Sequence, residues 1–272
     1  MMYLNVKNTK KLYNQGIRTM KKSQIAAQCY TLRNYLHTSS ATDRAFAKLR
    51  KIGFEAVQIS GTSLDPREIK KYADLNGLVI CATHEGGDTV LSNTEAVIEK
   101  LDLYGCKHTA FPCPYDWQLA DLESILDLAH ALEDAAVKMQ AAGKVLSYHN
   151  HNMEFRKING KTIFDILLEN APAMKAEIDT YWVQMGGCDP VAYVKKYAGR
   201  QQIFHLKDFG VIGHNTSIMV PVGSGNLNWQ EILPAAENGG VEWFIIEQDV
   251  CHKDPFDSLK DSFDYLTENF VR

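Results

Sequence analysis

Eight short apolar runs, each followed by an amphipathic stretch, recur along the chain with the strand-like run always first. The runs are "QIAAQCY" (24–30), "FEAVQIS" (54–60), "LVICATH" (78–84), "KHTAFPC" (107–113), "KVLSYH" (144–149), "MKAEID" (174–179), "QIFHLKD" (202–208) and "WFIIEQD" (243–249). Helix-like segments follow at roughly 42–52, 65–76, 93–104, 120–142, 162–170, 189–198, 229–238 and 255–269. Glycine marks the exit from several of these segments, at Gly53, Gly77, Gly105, Gly143 and Gly239-Gly240, where a chain leaves a helix through a left-handed residue. Asp65-Pro66, Asp189-Pro190 and Asp254-Pro255 each set a capping acceptor before a first-turn proline. Short strands buried on both faces and joined by helices belong to parallel sheets. Eight such units are the count of an α/β fold of the (β/α)8 TIM barrel type. The reading is therefore one barrel domain over residues 23–272, with a short N-terminal extension over residues 1–22. An open doubly wound sheet is the alternative, because periodicity does not show closure. Against it, no GxGxxG follows the first run.

Bulk properties narrow the function classes. At 272 residues with 45% hydrophobic content the chain suits a single α/β barrel. The formal net charge is −4 with no basic stripe, which argues against a nucleic-acid partner, since phosphate contacts need clustered Lys and Arg. The six cysteines, Cys29, Cys81, Cys106, Cys113, Cys188 and Cys251, form no CxxC and read as reduced thiols. No run is long enough to span a bilayer, and the lysine-bearing N-terminal piece lacks the apolar centre of a signal peptide. A cytoplasmic protein with no membrane partner is expected, its N-terminal extension serving as an arm in a homo-oligomer.

In such a barrel the active site lies at the C-terminal strand ends. Polar residues gather there: Gln28 and Tyr30, Gln58 and Ser60, His84 and Glu85, Cys113, His149, His151 and Glu154, Glu177 and Asp179, His205, Lys207 and Asp208, and Glu247 to Asp249. Glu154, Asp179, His205 and Glu247 follow from the last four strands and are the expected metal ligands. Three carboxylates and an imidazole suit Mn2+ or Mg2+, with Co2+ or Zn2+ as alternatives. His37, His108, His130 and His214 lie away from strand tips and read as structural. Asp208 reads as a cap, and Asp249 and His252 as part of a surface turn. Tyr115 and Trp117 either pack or line a sugar face. The glycine-rich "VPVGSGNLNW" after the seventh run has N–H groups able to cradle a phosphate.

The segments "YHNHNMEF", "EIDTYWVQMGGCDPVAYVKKY", "FHLKDF", "VPVGSGNLNWQEIL" and "IIEQD" together resemble the xylose isomerase-like barrel superfamily. The resemblance is to its sugar phosphate isomerase/epimerase group, with features of inosose dehydratases. It implies one divalent cation, Mn2+ first, held by Asp179, His205 and Glu247. Many members place a Glu in "ExNH" after strand five where this chain has His149. Glu154 is then the implied first ligand, with His149 as the alternative. The implied activity is isomerisation or epimerisation of a sugar or sugar phosphate through a metal-stabilised enediolate. The alternative is a keto-sugar or keto-inositol lyase. Glu154, Glu247, His149, His151 and Lys207 are the catalytic candidates; His84, Trp182, Tyr30 and Gln58 are the substrate-binding ones. A nuclease resembling endonuclease IV and an inactive scaffold are the readings from other classes.

Overall fold

In a computed structural model, which describes residues 19–272, eight parallel strands close into a barrel. The strands are Ile25–Gln28, Ala56–Ile59, Val79–His84, His108–Phe111, Val145–His149, Lys175–Asp179, Gln201–Leu206 and Trp243–Ile246. The first strand pairs with the second and also with the eighth, through Ile25 with Phe244, Ala26 with Ile245 and Ala27 with Ile246. That pairing is the closure that periodicity left open, and it excludes the open sheet.

Eight long helical segments wrap the barrel close to where the sequence placed them, among them Ser39–Ile52, Pro66–Leu75, Leu122–Ala141, Ile163–Asn170 and Pro255–Asn269. Their starts are held as the sequence suggests. Asp65, Asp189 and Asp254 accept from the backbone N–H of Arg67 (2.7 Å), Val191 (2.9 Å) and Phe256 (2.8 Å). Gly105 leaves its helix in the left-handed conformation at φ +66°.

Among the described residues, several shorter elements go beyond the sequence pattern. Short helices at Gly87–Ser92 and Thr180–Met185 follow strands three and six. Two antiparallel hairpins, Lys157–Ile158 with Lys161–Thr162 and Asp208–Ile212 with Thr216–Val220, follow strands five and seven. The seventh strand consequently ends at Leu206 rather than Asp208.

The core lies mostly between strands and helices. The lumen is filled at its lower level by small or aliphatic side chains, including Ala26, Ala56, Ala110, Ile203 and Ile245. Alternate strand residues face the same way, so side chains two positions on, such as Gln28, Gln58, His205 and Glu247, form the layers above. Thr19 and Met20 are buried beside the chain's other end, and Thr19 N–H donates to the Phe270 carbonyl (2.8 Å). The rest of the expected N-terminal extension, residues 1–18, lies outside the described residues. Among those described, no helix is long and apolar enough to cross a membrane.

Candidate active site

The floor of the barrel mouth is a continuous polar network. Gln28 Nε2 donates to Gln58 Oε1 (2.8 Å), and Gln58 Nε2 donates to Glu177 Oε1 (2.7 Å). Glu177 Oε2 lies 2.6 Å from His84 Nε2 and 3.4 Å from His149 Nδ1. His205 Nε2 is 2.6 Å from Gln58 Oε1 and 3.2 Å from Glu177 Oε1. Its other nitrogen, Nδ1, faces Glu247 Oε2 at 2.9 Å and Asp179 Oδ2 at 3.8 Å. Burial alone would raise the Glu177 carboxyl, but the imidazoles of His205 and His84 hold it well below the ordinary carboxylate range. His205 goes the other way: burial favours its neutral form, yet Glu177 and Glu247 raise it well above the usual imidazole value.

Above this layer, Lys207 is fully enclosed by carboxylates. Its Nζ lies 2.9 Å from Asp179 Oδ2, 2.7 Å from Glu247 Oε2 and 3.1 Å from Asp249 Oδ1. Those three acids raise the ammonium above its ordinary value against the effect of burial. Burial also raises Asp249, and with the Glu247 charge beside it takes the carboxyl to about 6.

His149, Asp179, His205 and Glu247 each offer one ligand atom within 4.8 Å of the others, and all four are buried. Several features fit a cation. Among the described residues, His149 Nδ1 has no aligned hydrogen-bond partner although buried, and Asp179 Oδ2 is met by the Lys207 ammonium alone at 2.9 Å. The His205 Nε2–H is held by Gln58 and Glu177, the outer hydrogen bond that commonly orients a metal-bound imidazole. Two carboxylates and two imidazoles are donors for Mn2+, Co2+ or Zn2+ more than for Mg2+, which favours oxygen alone.

The structure brings together three of the four ligands expected from sequence, Asp179, His205 and Glu247; His149 stands fourth, in the place given to Glu154. The reason is local. The Glu154 carboxylate is fully buried in the wall, accepting from Tyr148 OH (3.0 Å) and His151 N–H (2.9 Å). Burial pushes it up to about 7. The crowd at "YHNHNMEF" is thus divided: Glu154 ties the loop, Asn150 exchanges hydrogen bonds with the Asp179 backbone, and His149 and His151 face the mouth.

A cavity of about 500 Å3 opens above these groups, lined by Tyr30, Arg33, His84, His149, His151, Lys207, Glu247 and Asp249 among others. Burial is the main reason His149 falls to about 4 and His151 to about 3, so both imidazoles are neutral bases at pH 7. Of the expected substrate contacts, Tyr30 and His84 line the cavity. Gln58 is fully buried beneath it, its amide already used by Gln28, Glu177 and His205. Trp182 stands behind the lining, its ring 5.3 Å from His151 and 5.4 Å from the Lys207 ammonium. Asp249 belongs to the site rather than to a plain surface turn, and Glu177 is at its centre. Both lay two residues from an expected ligand on the same strand line, a period-two signal that could have found them.

The loop after strand seven is also accounted for. Asp208 Oδ2 accepts from Gly223 N–H (2.8 Å), Gly225 N–H (3.1 Å) and the Trp229 indole (2.8 Å). Its Oδ1 accepts from Phe209 N–H (2.8 Å) and Leu227 N–H (3.3 Å). A side chain at position 225 would overlap this carboxylate, which explains that glycine.

The sequence pattern of the xylose isomerase-like TIM barrel family matches residues 46–269. No curated protein matches by sequence. Among solved structures, a sugar phosphate isomerase/epimerase from Parabacteroides distasonis superposes with a TM-score of 0.75 at 21% identity, over 92% of this chain and 95% of that one. A probable 3-DHS dehydratase from Bacillus anthracis gives 0.68 at 14% identity, over 91% and 99%. A xylose isomerase-like barrel from Mycobacterium smegmatis, solved with magnesium, gives 0.70 at 12% identity, over 91% and 97%. At these identities the neighbours share the fold.

Proposed function

Since the chain belongs to the xylose isomerase-like TIM barrel family, we propose that it is a divalent-metal-dependent isomerase or epimerase of a carbonyl sugar. The observation that carries this reading is the convergence of His149, Asp179, His205 and Glu247 beside a cavity of about 500 Å3 that His149 and Glu247 line. A cation there, Mn2+ first, would act as a Lewis acid that stabilises negative charge developing on a carbonyl oxygen.

The chain's own groups supply the rest. Lys207 Nζ, whose three donors are taken by Asp179, Glu247 and Asp249, fixes those carboxylates at the cavity wall. His151 faces the cavity with an unpartnered Nδ1 among the described residues, and takes the proton from the carbon beside the carbonyl. Return of that proton by His151 to the neighbouring carbon gives isomerisation, and protonation of the opposite face by a second lining acid, such as His84, gives epimerisation. Tyr30 and His84 border the sugar, while the Glu177–Gln58 network below keeps the His205 ring fixed.

A second reading, carbon–oxygen lyase, is favoured by the three imidazoles of His84, His149 and His151 around one mouth. With a leaving group one carbon further on, His84 or His151 could protonate the departing oxygen. Incubation of Mn2+-loaded protein with keto-sugars in D2O separates the two. The isomerase reading predicts deuterium uptake with the substrate otherwise unchanged in mass, and loss of water or of an aglycone selects the lyase. No exchange or elimination across a broad panel would contradict both.

A further inference from the structure

Barrels that bind phosphate esters frequently hold the phosphate on the loops after strands seven and eight, through free backbone N–H groups and a helix N-terminus. Here both places are filled from within. In the loop after strand seven the N–H groups of Gly223, Gly225 and Leu227 already point at one anion, the carboxylate of Asp208, which is fully buried. The Trp229 indole completes that grip at the start of helix Trp229–Asn238. After strand eight, helix Pro255–Asn269 begins on Asp254, whose own side chain takes the Phe256 N–H.

Charge around the cavity points the same way. Among the described lining residues, Lys207 and Arg33 are the full cations. Lys207 is matched by three carboxylates, and Arg33 is turned onto Tyr30, donating to its carbonyl (2.9 Å) with the guanidinium 4.4 Å from the ring centre. Apart from the proposed metal ion, a phosphate dianion entering this mouth would meet Glu247 and Asp249, with no nest of free N–H groups in the loop after strand seven and Arg33 as the one lining cation without a carboxylate partner.

We infer, resting on the sugar reading above, that the cavity takes an uncharged polyhydroxylated carbonyl compound and discriminates against phosphate esters. The Asp208 carboxylate takes the N–H groups of Gly223, Gly225 and Leu227, so the glycine-rich loop serves packing rather than anion capture.

The test is a matched comparison on the full Mn2+-loaded chain. D-fructose is set against D-fructose 6-phosphate and D-ribulose against D-ribulose 5-phosphate, each followed for calorimetric binding and for deuterium uptake. The uncharged member of at least one pair is expected to bind or exchange about tenfold or more better than its ester. Preference for the ester in any pair overturns the inference. A second arm titrates orthophosphate into metal-stripped protein and follows the 31P line width, so that a cation does not supply the binding. No saturation is expected up to ~1 mM, and saturable binding below that overturns the inference as well. If neither member of any pair binds or reacts, the sugar reading itself fails, and the orthophosphate arm alone decides whether this mouth has a phosphate site.

Discussion

Two residues illustrate how burial sets chemistry at this site. Glu154 is sealed in the wall, where its folded value of about 7 stands above an ordinary 4.5. A carboxyl raised on folding loses its proton first in the unfolded chain, so the fold loses stability as pH climbs from about 4.5 to about 7 and is level above that. Glu154→Gln keeps one acceptor for the His151 N–H and removes the titration. The stability difference between variant and parent, from urea unfolding, should move in the variant's favour by about 2–3 kcal/mol between pH 5 and pH 8. An unchanged difference would show that Glu154 is ionised without penalty. Lys207 is the opposite case, a buried cation whose removal leaves Asp179, Glu247 and Asp249 facing one another. Lys207→Met should destabilise the metal-free protein by about 3–5 kcal/mol, because each remaining charge is buried without its partner. Added Mn2+ should then raise the melting temperature of the variant more than that of the parent. An equal rise in both would mean that the ammonium and the cation do not share these carboxylates.

Among the elements, the loop after strand seven is the one most dependent on a single side chain. Asp208 fixes the backbone of Gly223, Gly225 and Leu227 and the indole that anchors helix Trp229–Asn238. Asp208→Ala strands several buried donors at about 1–3 kcal/mol each, so a loss of at least about 3 kcal/mol is expected in denaturant unfolding, with Asp208→Asn milder. Amide exchange should speed up first over residues 223–229; uniform acceleration throughout the barrel would contradict a local role. The barrel elements themselves were legible because apolar runs, Asp-Pro caps and exit glycines agreed on the same boundaries. The hairpins were not read. The first turns on Asn159-Gly160, with φ of +52° and +84°, a local hairpin signal hidden between strands only two residues long. In the second, Asp208 was read as a cap, but its partners lie up to twenty-one residues away, beyond any local pattern.

At the scale of the whole molecule, closure and convergence are tertiary facts. Periodicity gave eight units, but the pairing of the first strand with the eighth joins residues more than two hundred positions apart. The same closure brings strands five to eight round to one floor, where Asp179, His205 and Glu247 meet as the sequence suggested. A three-residue turn, Met153–Phe155, folds Glu154 back onto Tyr148, while His149 stands beside Asp179, His205 and Glu247. Strand order thus marked three members of this cluster, while the local turn sets which residue of the segment stands fourth in it. On the proposed reading a single divalent cation is held by His149, Asp179, His205 and Glu247. A crystal of the chain soaked in Mn2+ and measured at the manganese absorption edge tests it most directly. One anomalous peak per chain bounded by those four side chains is the predicted result; a peak on Glu154 instead, or none at saturating Mn2+, would contradict it.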